Sequence, residues 1–438
     1  MSGLIIAAPA SGSGKTLITA ALLRHLRNRG ISVAAAKAGP DYIDPTFHVL
    51  ASGTRCVNLD PWAMRQATLA GLVQDLESEA ELVLCEGVMG LFDGTGADGE
   101  AGSTAELSRL TGWPVVLVVD AAGQGASVAA LVAGFAQHDP RVSVAGVILN
   151  GVAGPRHHTL LIETIARHLP GLPVVGALSR DPALALPARH LGLVPAEEVA
   201  DASALLDRAA VHIAAGFDTA RLIALARPAA CAAATSGSGL PPLGQRIAVA
   251  RDAAFCFIYD GTLAAWRRQG AELSFFSPLA EEAPGGGADA IFLPGGYPEL
   301  HAGRIAAAQA FFCGLHRATA HDVAIYGECG GYMVLGETLV DADGNKHRMA
   351  GLLPLATSFA QRRRHLGYRA ATLMEAGPLG ARGARFRGHE FHYATIVDEG
   401  DADPLFALRD AAGNDLGHAG LRRGSILGSF VHLIDREN

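Results

Sequence analysis

The stretch LIIAAPASGSGKT, from Leu4 to Thr16, decides the fold of the N-terminal half of this 438-residue chain. An apolar run at Leu4–Ala8 leads into a loop of Gly and Ser, and the helical pattern TLITAALLRHLRNRG then runs from Thr16 to Gly30. A strand, a Gly-rich loop and a helix in this order favour phosphate binding, because the helix N-terminus and backbone N–H groups attract anions. The stretch therefore predicts a nucleotide site at one edge of an α/β sheet.

The residues predicted to bind ATP phosphates are Gly12, Ser13, Gly14, Lys15 and Thr16. The two glycines let the backbone N–H groups turn inward, Lys15 is expected to reach the terminal phosphates, and the Thr16 hydroxyl is expected to help hold Mg²⁺. Pro9 stands where the strict Walker A pattern has glycine, so the loop is a variant. The alternative is a Ser/Gly-rich helix start that binds no ligand.

Further apolar runs alternate with helical patterns along the first half of the chain. The predicted strands are Ser32–Lys37, Glu81–Glu86, Val115–Asp120, Val144–Asn150 and Pro173–Leu178. Strands that are apolar almost throughout are typical of a sheet covered on both faces, and βαβ repetition makes such a sheet parallel. The fold class predicted for this half is therefore a doubly wound α/β domain.

Two acidic segments follow strands of this sheet directly. KAGPDYIDPTFH spans Lys37–His48, and EGVMGLFDG spans Glu86–Gly94. Both leave the carboxyl edge, where open α/β sheets bind ligands, so Asp41, Asp44 and Glu86 are candidates for Mg²⁺ ligation and for placing an acceptor. Each acid has the alternative of capping a helix, and Lys37 is either a phosphate-neutralising cation or a surface lysine. Asn150 is predicted to read the nucleotide base, with a turn-forming residue as the alternative.

The composition changes between the two halves. Residues 227–245 are rich in Ala, Ser, Gly and Pro with almost no charge, which predicts a linker between a domain at 1–226 and a domain at 246–438. The second domain has its own strand series, at Arg246–Asp252, Ala271–Pro278, Asp289–Gly296 and Val323–Gly331. We expect two doubly wound α/β domains that carry different motifs.

Charge and cysteine content exclude several classes of protein. The net charge of −8 argues against a nucleic-acid-binding face. The six cysteines form no C-x-x-C pair, which indicates reduced thiols and neither a disulfide framework nor a zinc site. The first apolar run is too short for a signal peptide, and no run is long enough to span a bilayer. We expect a cytoplasmic protein, and a homodimer is compatible with the sequence.

Cys329 lies in IYGECGGYMVLG, between an apolar strand pattern and an apolar helical pattern. Such an elbow exposes a nucleophile at a helix N-terminus, where the thiol pKa is expected to fall and backbone N–H groups are available to an oxyanion. Gly295 and Gly296 in LPGGYPEL, together with Gly330, are the predicted oxyanion hole. The alternative for Cys329 is a small buried side chain at a turn.

A cysteine nucleophile needs a base, and His432 in GSFVH near the C-terminus is the predicted one. His389 and His392 in RGHEFHY are rivals, and a structural histidine is the alternative for His432. LPGGYPEL, GECGG and GSFVH resemble class I glutamine amidotransferases, many of which have an acid two residues after the histidine, but Ile434 occupies that position here. The third residue is therefore Asp435, Glu390 or absent.

The chain resembles the cobyrinic acid a,c-diamide synthase family of corrin biosynthesis over essentially its whole length. LPGGYPEL, GECGGYMVLG and GSFVH resemble the oxyanion loop, nucleophile and histidine of class I glutamine amidotransferases, in that order. The N-terminal half is similar to the dethiobiotin-synthetase-like ATP-binding fold, with KAGPDYIDPTFH and EGVMGLFDG typical of the family.

This resemblance implies that glutamine is hydrolysed at Cys329 through a thioester and that ammonia passes internally to the N-terminal domain. There ATP phosphorylates the a and c acetate carboxylates of hydrogenobyrinic or cobyrinic acid, and ammonia displaces phosphate from each acyl phosphate. It implies Mg²⁺, held by Thr16, Asp44 and Glu86, and small-molecule substrates alone as partners. The acceptor region then comprises Lys37, Asp41, Tyr42, Asp44 and Asp93.

The sequence leaves two alternative functions to be weighed against this one. Cobyric acid synthase amidates other carboxylates of a larger corrin, and Gly39–Pro45 argues against it. A regulatory P-loop ATPase with a non-catalytic C-terminal binding domain is the other, and it leaves Cys329 and His432 unexplained. Glutamine hydrolysis separates the enzymes from the regulator.

Overall fold

The chain, seen here as a computed structural model, is described at residues 2–96, 98–189, 192–231 and 239–437. It divides into two compact units, one of Met1–Trp62 and Gln66–Gly237, the other of Ala63–Arg65 and Ser238–Asn438. Residues 232–238 of the predicted linker lie outside the described residues. At its described ends, Arg227 exchanges backbone hydrogen bonds with Gly3, and Leu240 is buried in the core of the second unit.

The first unit alternates strands and helices. Its elements are β1 (Ser2–Ala7), α1 (Lys15–Asn28), β2 (Val33–Ala38), α2 (Asp44–Ser52), β3 (Cys56–Leu59), α3 (Gln66–Glu79), β4 (Leu82–Glu86), α4 (Thr104–Thr111), β5 (Val115–Asp120), α5 (Ser127–Gln137), β6 (Val144–Val152), α6 (Pro155–His168), β7 (Val174–Ser179), β8 (Ala188–Arg189), β9 (Gly192–Leu193), α7 (Ala202–Gly216) and α8 (Thr219–Leu225).

A parallel sheet forms the centre of the first unit, as predicted. Within the described residues its seven strands run in the order β3-β2-β4-β1-β5-β6-β7. The six predicted strands of this half are confirmed, while the four-residue strand β3 was not identified because CVNL is too short to show periodicity. Since β2, β4 and β1 are neighbours, the loops after these strands emerge side by side at the carboxyl edge.

The second unit begins with a similar alternation and then becomes rich in strands. Its elements are β10 (Arg246–Ala250), α9 (Asp260–Arg268), β11 (Glu272–Phe276), β12 (Ala290–Leu293), α10 (Ala302–Ala307), α11 (Gln309–Thr319), β13 (Ala324–Glu328), α12 (Gly330–Leu335), β14 (Thr338–Val340), β15 (Lys346–Arg348), β16 (Leu355–Ser358), β17 (His365–Leu373), β18 (Arg385–His392), β19 (Thr395–Glu399), β20 (Asp403–Arg409), β21 (Asp415–Arg423), β22 (Ile426–Ser429) and β23 (Val431–Arg436).

The large sheet of the second unit is mixed. Among the described residues its order is β11-β10-β12-β13-β22-β21-β20-β17-β18-β23, parallel from β11 to β22 and antiparallel beyond. The α/β prediction is confirmed, but the antiparallel strands were not among the predicted ones. The parallel β13–β22 pair matters for function, because it carries the end of β13 next to the segment that contains the C-terminal histidine.

Candidate active sites

The phosphate loop of the first unit is built as the sequence predicts. Gly12 and Gly14 have φ angles of 81° and 92°, a left-handed conformation that costs glycine little. Gly14 precedes α1 and provides no side-chain cap, so the first N–H groups of the helix are available to an anion. Asn150 donates its amide to the Ser13 carbonyl at 3.0 Å and thereby ties the loop to the end of β6.

Lys15 lies across the loop and is largely buried. Its ammonium donates to the carbonyl oxygens of Ala10, at 3.3 Å, and Met89, at 2.7 Å. Burial lowers the pKa of Lys15, and the nearby Glu86 opposes that effect. Met89 has a positive φ of 46° in the loop after β4, a strained conformation that aims its carbonyl at the ammonium.

Glu86 is the centre of a buried polar cluster at the carboxyl edge of the sheet. Its Oε1 accepts the Thr16 hydroxyl at 2.7 Å and lies 3.1 Å from the Lys37 ammonium, and its Oε2 lies 2.7 Å from Nε2 of His48. The Lys37 ammonium also lies 2.6 Å from Asp44. Lys37 and Glu86 are register partners on β2 and β4, which explains why two residues far apart in sequence meet.

The pKa values of this cluster follow from burial and charge pairing. Burial alone would lower the pKa of Lys37, but Asp44 and Glu86 outweigh burial and raise it. Burial opposes ionisation of Glu86, yet Lys37, His48 and Thr16 together lower its pKa to about 2. Burial and the charge of Asp41 raise the pKa of Asp44 to about 8. The cluster therefore contains one firmly ionised acid, one firmly charged lysine and a second acid that readily keeps a proton.

His48 is a member of this cluster that the sequence analysis missed. It is fully buried on α2, four residues after Asp44, and so lies on the same helix face. The available signal was this spacing inside the segment already singled out, but histidine at such a position is more often a core residue.

The polar cluster opens into a cavity of about 710 Å³. Its wall includes Gly12, Gly14, Lys15, Thr16, Lys37, Asp41, Asp44, Glu86 and Met89, with Leu184, Leu186 and Leu193 on the apolar side. A second cavity of about 140 Å³ is lined by Asn150, Leu178, Arg180, Asp181 and His212, among others. Leu17 and Leu184 line both cavities, so the two spaces adjoin at the start of α1.

Two of the predicted acceptor residues, Asp41 and Asp93, accept backbone hydrogen bonds in the loops. Asp41 accepts the N–H groups of Ile43, at 2.7 Å, and Asp44, at 3.2 Å, which fixes the start of α2. Asp93 accepts the Gly90 N–H at 2.9 Å and so shapes the loop after β4. Tyr42 is half-buried in the loop before α2. Asp41, Lys37 and Asp44 line the larger cavity.

Cys329 of the second unit occupies the elbow that the sequence predicts. It has φ 48° and ψ −102° between β13 and α12, a conformation that non-glycine residues adopt only under strain. Its N–H donates to the Ser429 carbonyl at 2.8 Å, and its carbonyl accepts the Met333 N–H at 3.0 Å. A Cβ at Gly331 would overlap the Leu293 carbonyl, so glycine is required where α12 packs against β12.

The predicted oxyanion-hole glycines converge on this elbow. A Cβ added to Gly295 would lie 3.3 Å from the Cβ of Cys329 and would overlap the His432 ring. A Cβ added to Gly330 would lie 3.1 Å from the backbone nitrogen of Gly296. The structure therefore brings Cys329, His432 and the three glycines into one buried space, although Cys329 and His432 are far apart in sequence.

His432 is buried on β23, and its ring stacks on that of His389 with centroids 4.9 Å apart. Burial, reinforced by His389 and His392, lowers the pKa of His432 well below its usual value. The imidazole is therefore neutral at rest, as a general base must be. The rival His389 instead shares a 2.7 Å hydrogen bond with the Tyr259 hydroxyl, and His392 lies 2.8 Å from Glu390.

The predicted fall in the thiol pKa of Cys329 is wrong. Burial raises the pKa of Cys329, and the carboxylate of Glu299 adds to the effect. Helix α12 has only six residues, so the favourable field at its N-terminus is weak against this desolvation. Thiolate formation must therefore depend on proton transfer to a neighbouring base.

The two acids suggested by the sequence as third triad members are engaged elsewhere. Asp435 is fully buried and binds the Arg65 guanidinium at 2.9 Å and the Arg65 N–H at 3.0 Å. Glu390 pairs with His392 and, at 2.7 Å, with Arg369. Glu328, the residue before Cys329, was not among the predicted site residues, and its Oε2 lies 3.8 Å from Nδ1 of His432. Its position inside GECGG was the available signal.

Known proteins resemble both halves of the chain. Residues 4–194 match the CobQ/CobB/MinD/ParA nucleotide binding domain, and residues 246–438 match the CobB/CobQ-like glutamine amidotransferase domain. Proteins named hydrogenobyrinate a,c-diamide synthase are 53% identical in Rhizobium meliloti (strain 1021) and 56% identical in Brucella suis biovar 1 (strain 1330), each over 439 residues and 99% of both chains. Among the described residues, no helix has the length and apolar character to cross a membrane.

Proposed function

Since the chain belongs to the hydrogenobyrinate a,c-diamide synthase family, we propose that it amidates the a and c acetate carboxylates of hydrogenobyrinic acid, using ATP and glutamine. The observation that carries the proposal is the occurrence, in one chain, of a phosphate loop beside a buried acid–lysine cluster and of a cysteine elbow beside a neutral histidine. The first centre activates a carboxylate, and the second provides ammonia.

The glutaminase half-reaction uses Cys329 as nucleophile and His432 as base. The thiol proton passes to His432 while Sγ attacks the side-chain amide carbon of glutamine, and N–H groups at Gly295, Gly296 and Gly330 stabilise the oxyanion. His432 then returns the proton to the leaving nitrogen, which departs as ammonia. Water hydrolyses the resulting thioester to glutamate and regenerates the thiol.

The synthetase half-reaction forms an acyl phosphate. A carboxylate oxygen of the corrin acid attacks the γ-phosphorus of ATP and ADP departs; ammonia then attacks the acyl carbon and releases phosphate. Catalysis of this type depends on positioning and charge neutralisation, which favours Lys15 and Lys37 as cations beside the phosphates. Lys15 is expected to exchange the Ala10 and Met89 carbonyls for phosphate oxygens.

Mg²⁺ fits the oxygen donors of the acidic cluster. The Thr16 hydroxyl lies 2.7 Å from Glu86 and 3.4 Å from Asp44, and a hydroxyl with carboxylates and phosphates is the donor set that Mg²⁺ prefers. Thr16, Asp44 and Glu86 would hold the ion, which would neutralise phosphate charge. Asp41, Tyr42 and Asp93 complete the proposed acceptor region. The small cavity beside Asn150 supports base binding next to the phosphates.

Finer points of the proposal rest on composition and on the relatives. The relatives' name favours the cobalt-free acid over cobyrinic acid. The net charge of −8 supports small molecules as the only partners, without nucleic acid. We also propose a cytoplasmic homodimer, for which light scattering coupled to size exclusion gives the oligomeric state.

Mass spectrometry of the products tests the function. Cobalt-free and cobalt-containing acids are each offered with ATP and glutamine, and the expected product is the diamide of hydrogenobyrinic acid. The variant Cys329→Ala should make this diamide from ammonia but not from glutamine. Amidation at other carboxylates, or no glutamine hydrolysis by the wild type, would contradict the proposal.

A further inference from the structure

Glu328 is a buried carboxyl group that the mechanism above does not use. It ends β13, directly before the nucleophile, and only 4% of its surface is exposed. Its Oε1 accepts the Leu433 N–H at 3.1 Å, and its Oε2 lies 3.8 Å from Nδ1 of His432. One carboxyl group therefore contacts two consecutive residues of β23, one of which is the proposed base.

We infer that Glu328 is the acid behind His432: it orients the imidazole through Nδ1 and stabilises the imidazolium formed when Cys329 gives up its proton. The inference rests on the proposed glutaminase activity of Cys329. It makes Glu328 a positioning residue, because it acts through His432 and does not touch glutamine. The nucleophile and the orienting acid are then neighbours in the sequence, whereas the usual position two residues after the histidine holds Ile434.

The backbone at the elbow explains how Glu328 and Cys329, which are adjacent in sequence, can both act on the His432 imidazole. Side chains of successive strand residues point to opposite faces, so Glu328 and Cys329 would diverge if β13 continued. The positive φ of Cys329 ends the strand at this point. In this proposal the Nδ1 side of the ring faces Glu328, and Nε2 takes the thiol proton.

An acid at this position lowers the cost of the proton transfer. Transfer from Cys329 to His432 creates a buried thiolate–imidazolium pair, and a carboxylate on the far side of the ring offsets the desolvation of the imidazolium. His432 is stacked on His389, and His392 is also near; both disfavour a positive ring. Glu328 places a carboxyl group on the Nδ1 side of the ring. At 3.8 Å the contact is longer than a hydrogen bond, and such contacts often shorten when substrate binds.

The ionisation of Glu328 gives this role a pH signature. Burial raises the pKa of Glu328 to about 8, against the lowering effects of the Leu433 N–H and the Tyr326 hydroxyl. Among the described residues, the titratable groups near it are Tyr326 on its own strand, Cys329 at the elbow and His432 on β23. Because only the carboxylate stabilises the imidazolium, kcat/KM for glutamine should rise as pH increases through about 8.

The test is the pH profile of glutamine hydrolysis by Glu328→Gln in the full-length protein. We expect kcat to fall about 10²- to 10⁴-fold with little change in KM, and the rising limb near pH 8 to disappear. Amidation from ammonia should keep its wild-type rate. Glu328→Asp, which retains a carboxylate, should restore part of kcat and the limb.

Glu390→Gln and Asp435→Asn are matched controls, since each removes one of the other candidate acids. Both should keep the rising limb. A Glu328→Gln enzyme with wild-type kcat and profile, or loss of the limb in Glu390→Gln or Asp435→Asn, would overturn the inference. If Glu328→Gln does not fold, Glu328→Asp provides the test. A wild-type kcat in Glu328→Asp would contradict the inference, because the shorter side chain moves the carboxylate away from His432. A wild type without glutaminase activity would instead refute the proposed function.

Discussion

Replacing Lys37 with methionine is expected to destabilise the first unit strongly. The Lys37 ammonium lies 2.6 Å from Asp44 and 3.1 Å from Glu86, and its side chain is only 4% exposed. Removing one partner of a buried ion pair leaves the other charge unpaired, which costs about 3 to 5 kcal/mol. Arg55 and Glu79 provide a matched control, since they pair at the same 2.6 Å but are 28% and 48% exposed. Arg55→Met should therefore cost only about 0 to 1 kcal/mol.

Native-state hydrogen exchange measures these costs within one unit of a two-unit protein. Peptides covering β2 and β4 report opening of the first unit, where a tenfold change in exchange rate corresponds to about 1.4 kcal/mol. Lys37→Met should exchange between about a hundredfold and a few thousandfold faster than wild type, and Arg55→Met less than about tenfold faster. Equal protection from hydrogen exchange in Lys37→Met and Arg55→Met would refute the argument that burial makes the Lys37 ion pair the more costly one to break.

Three further predictions concern catalysis and stability. Lys15→Ala should abolish ATP-dependent amidation while Cys329 remains open to labelling by a thiol reagent; ATP-dependent product from this variant would disprove the phosphate-loop assignment. Gly295→Ala would push a methyl group into the His432 ring, so glutamine hydrolysis should fall about a hundredfold or more while ammonia-dependent amidation persists. An unchanged rate of glutamine hydrolysis would contradict the close approach of Gly295 to His432. Glu328 has a raised pKa of about 8 in the folded chain, so its contribution to stability is present at acidic pH and is lost as pH rises through about 8. The melting temperature of Glu328→Gln, measured relative to that of the wild type, should therefore rise between about pH 5 and pH 9. A difference in melting temperature that does not change with pH would contradict the raised pKa of Glu328.

Strand and loop predictions succeeded where the signal was local. The parallel strands of the first unit are continuous apolar runs, and the phosphate loop and the cysteine elbow each lie between such a run and a helix. The antiparallel strands from β17 onward were missed, because strands such as His365–Leu373 mix charged and apolar residues with no clear alternation. Their pairing depends on residues distant in the chain.

The largest differences between prediction and structure concern the pKa of Cys329 and the partner of Asp435. A helix N-terminus was expected to lower the pKa of Cys329, but burial raises it, since desolvation depends on the surrounding core and not on the neighbours in sequence. Asp435 looked like a triad acid by its distance from His432 in the chain, yet its carboxylate binds Arg65. Neither Arg65 nor its partnership with β23 can be read from the local sequence.

The sequence by itself determined the fold class, the phosphate loop and the cysteine at the strand–helix elbow, because each depends on a contiguous pattern of apolar, glycine and polar residues. Only the tertiary structure decided which side chains share a site. Lys37 meets Glu86 through the register of β2 and β4, and Glu328 meets His432 through the neighbouring ends of β13 and β23. Register and burial arise from contacts between distant segments, and these contacts determine the charge state and the partner of each functional group.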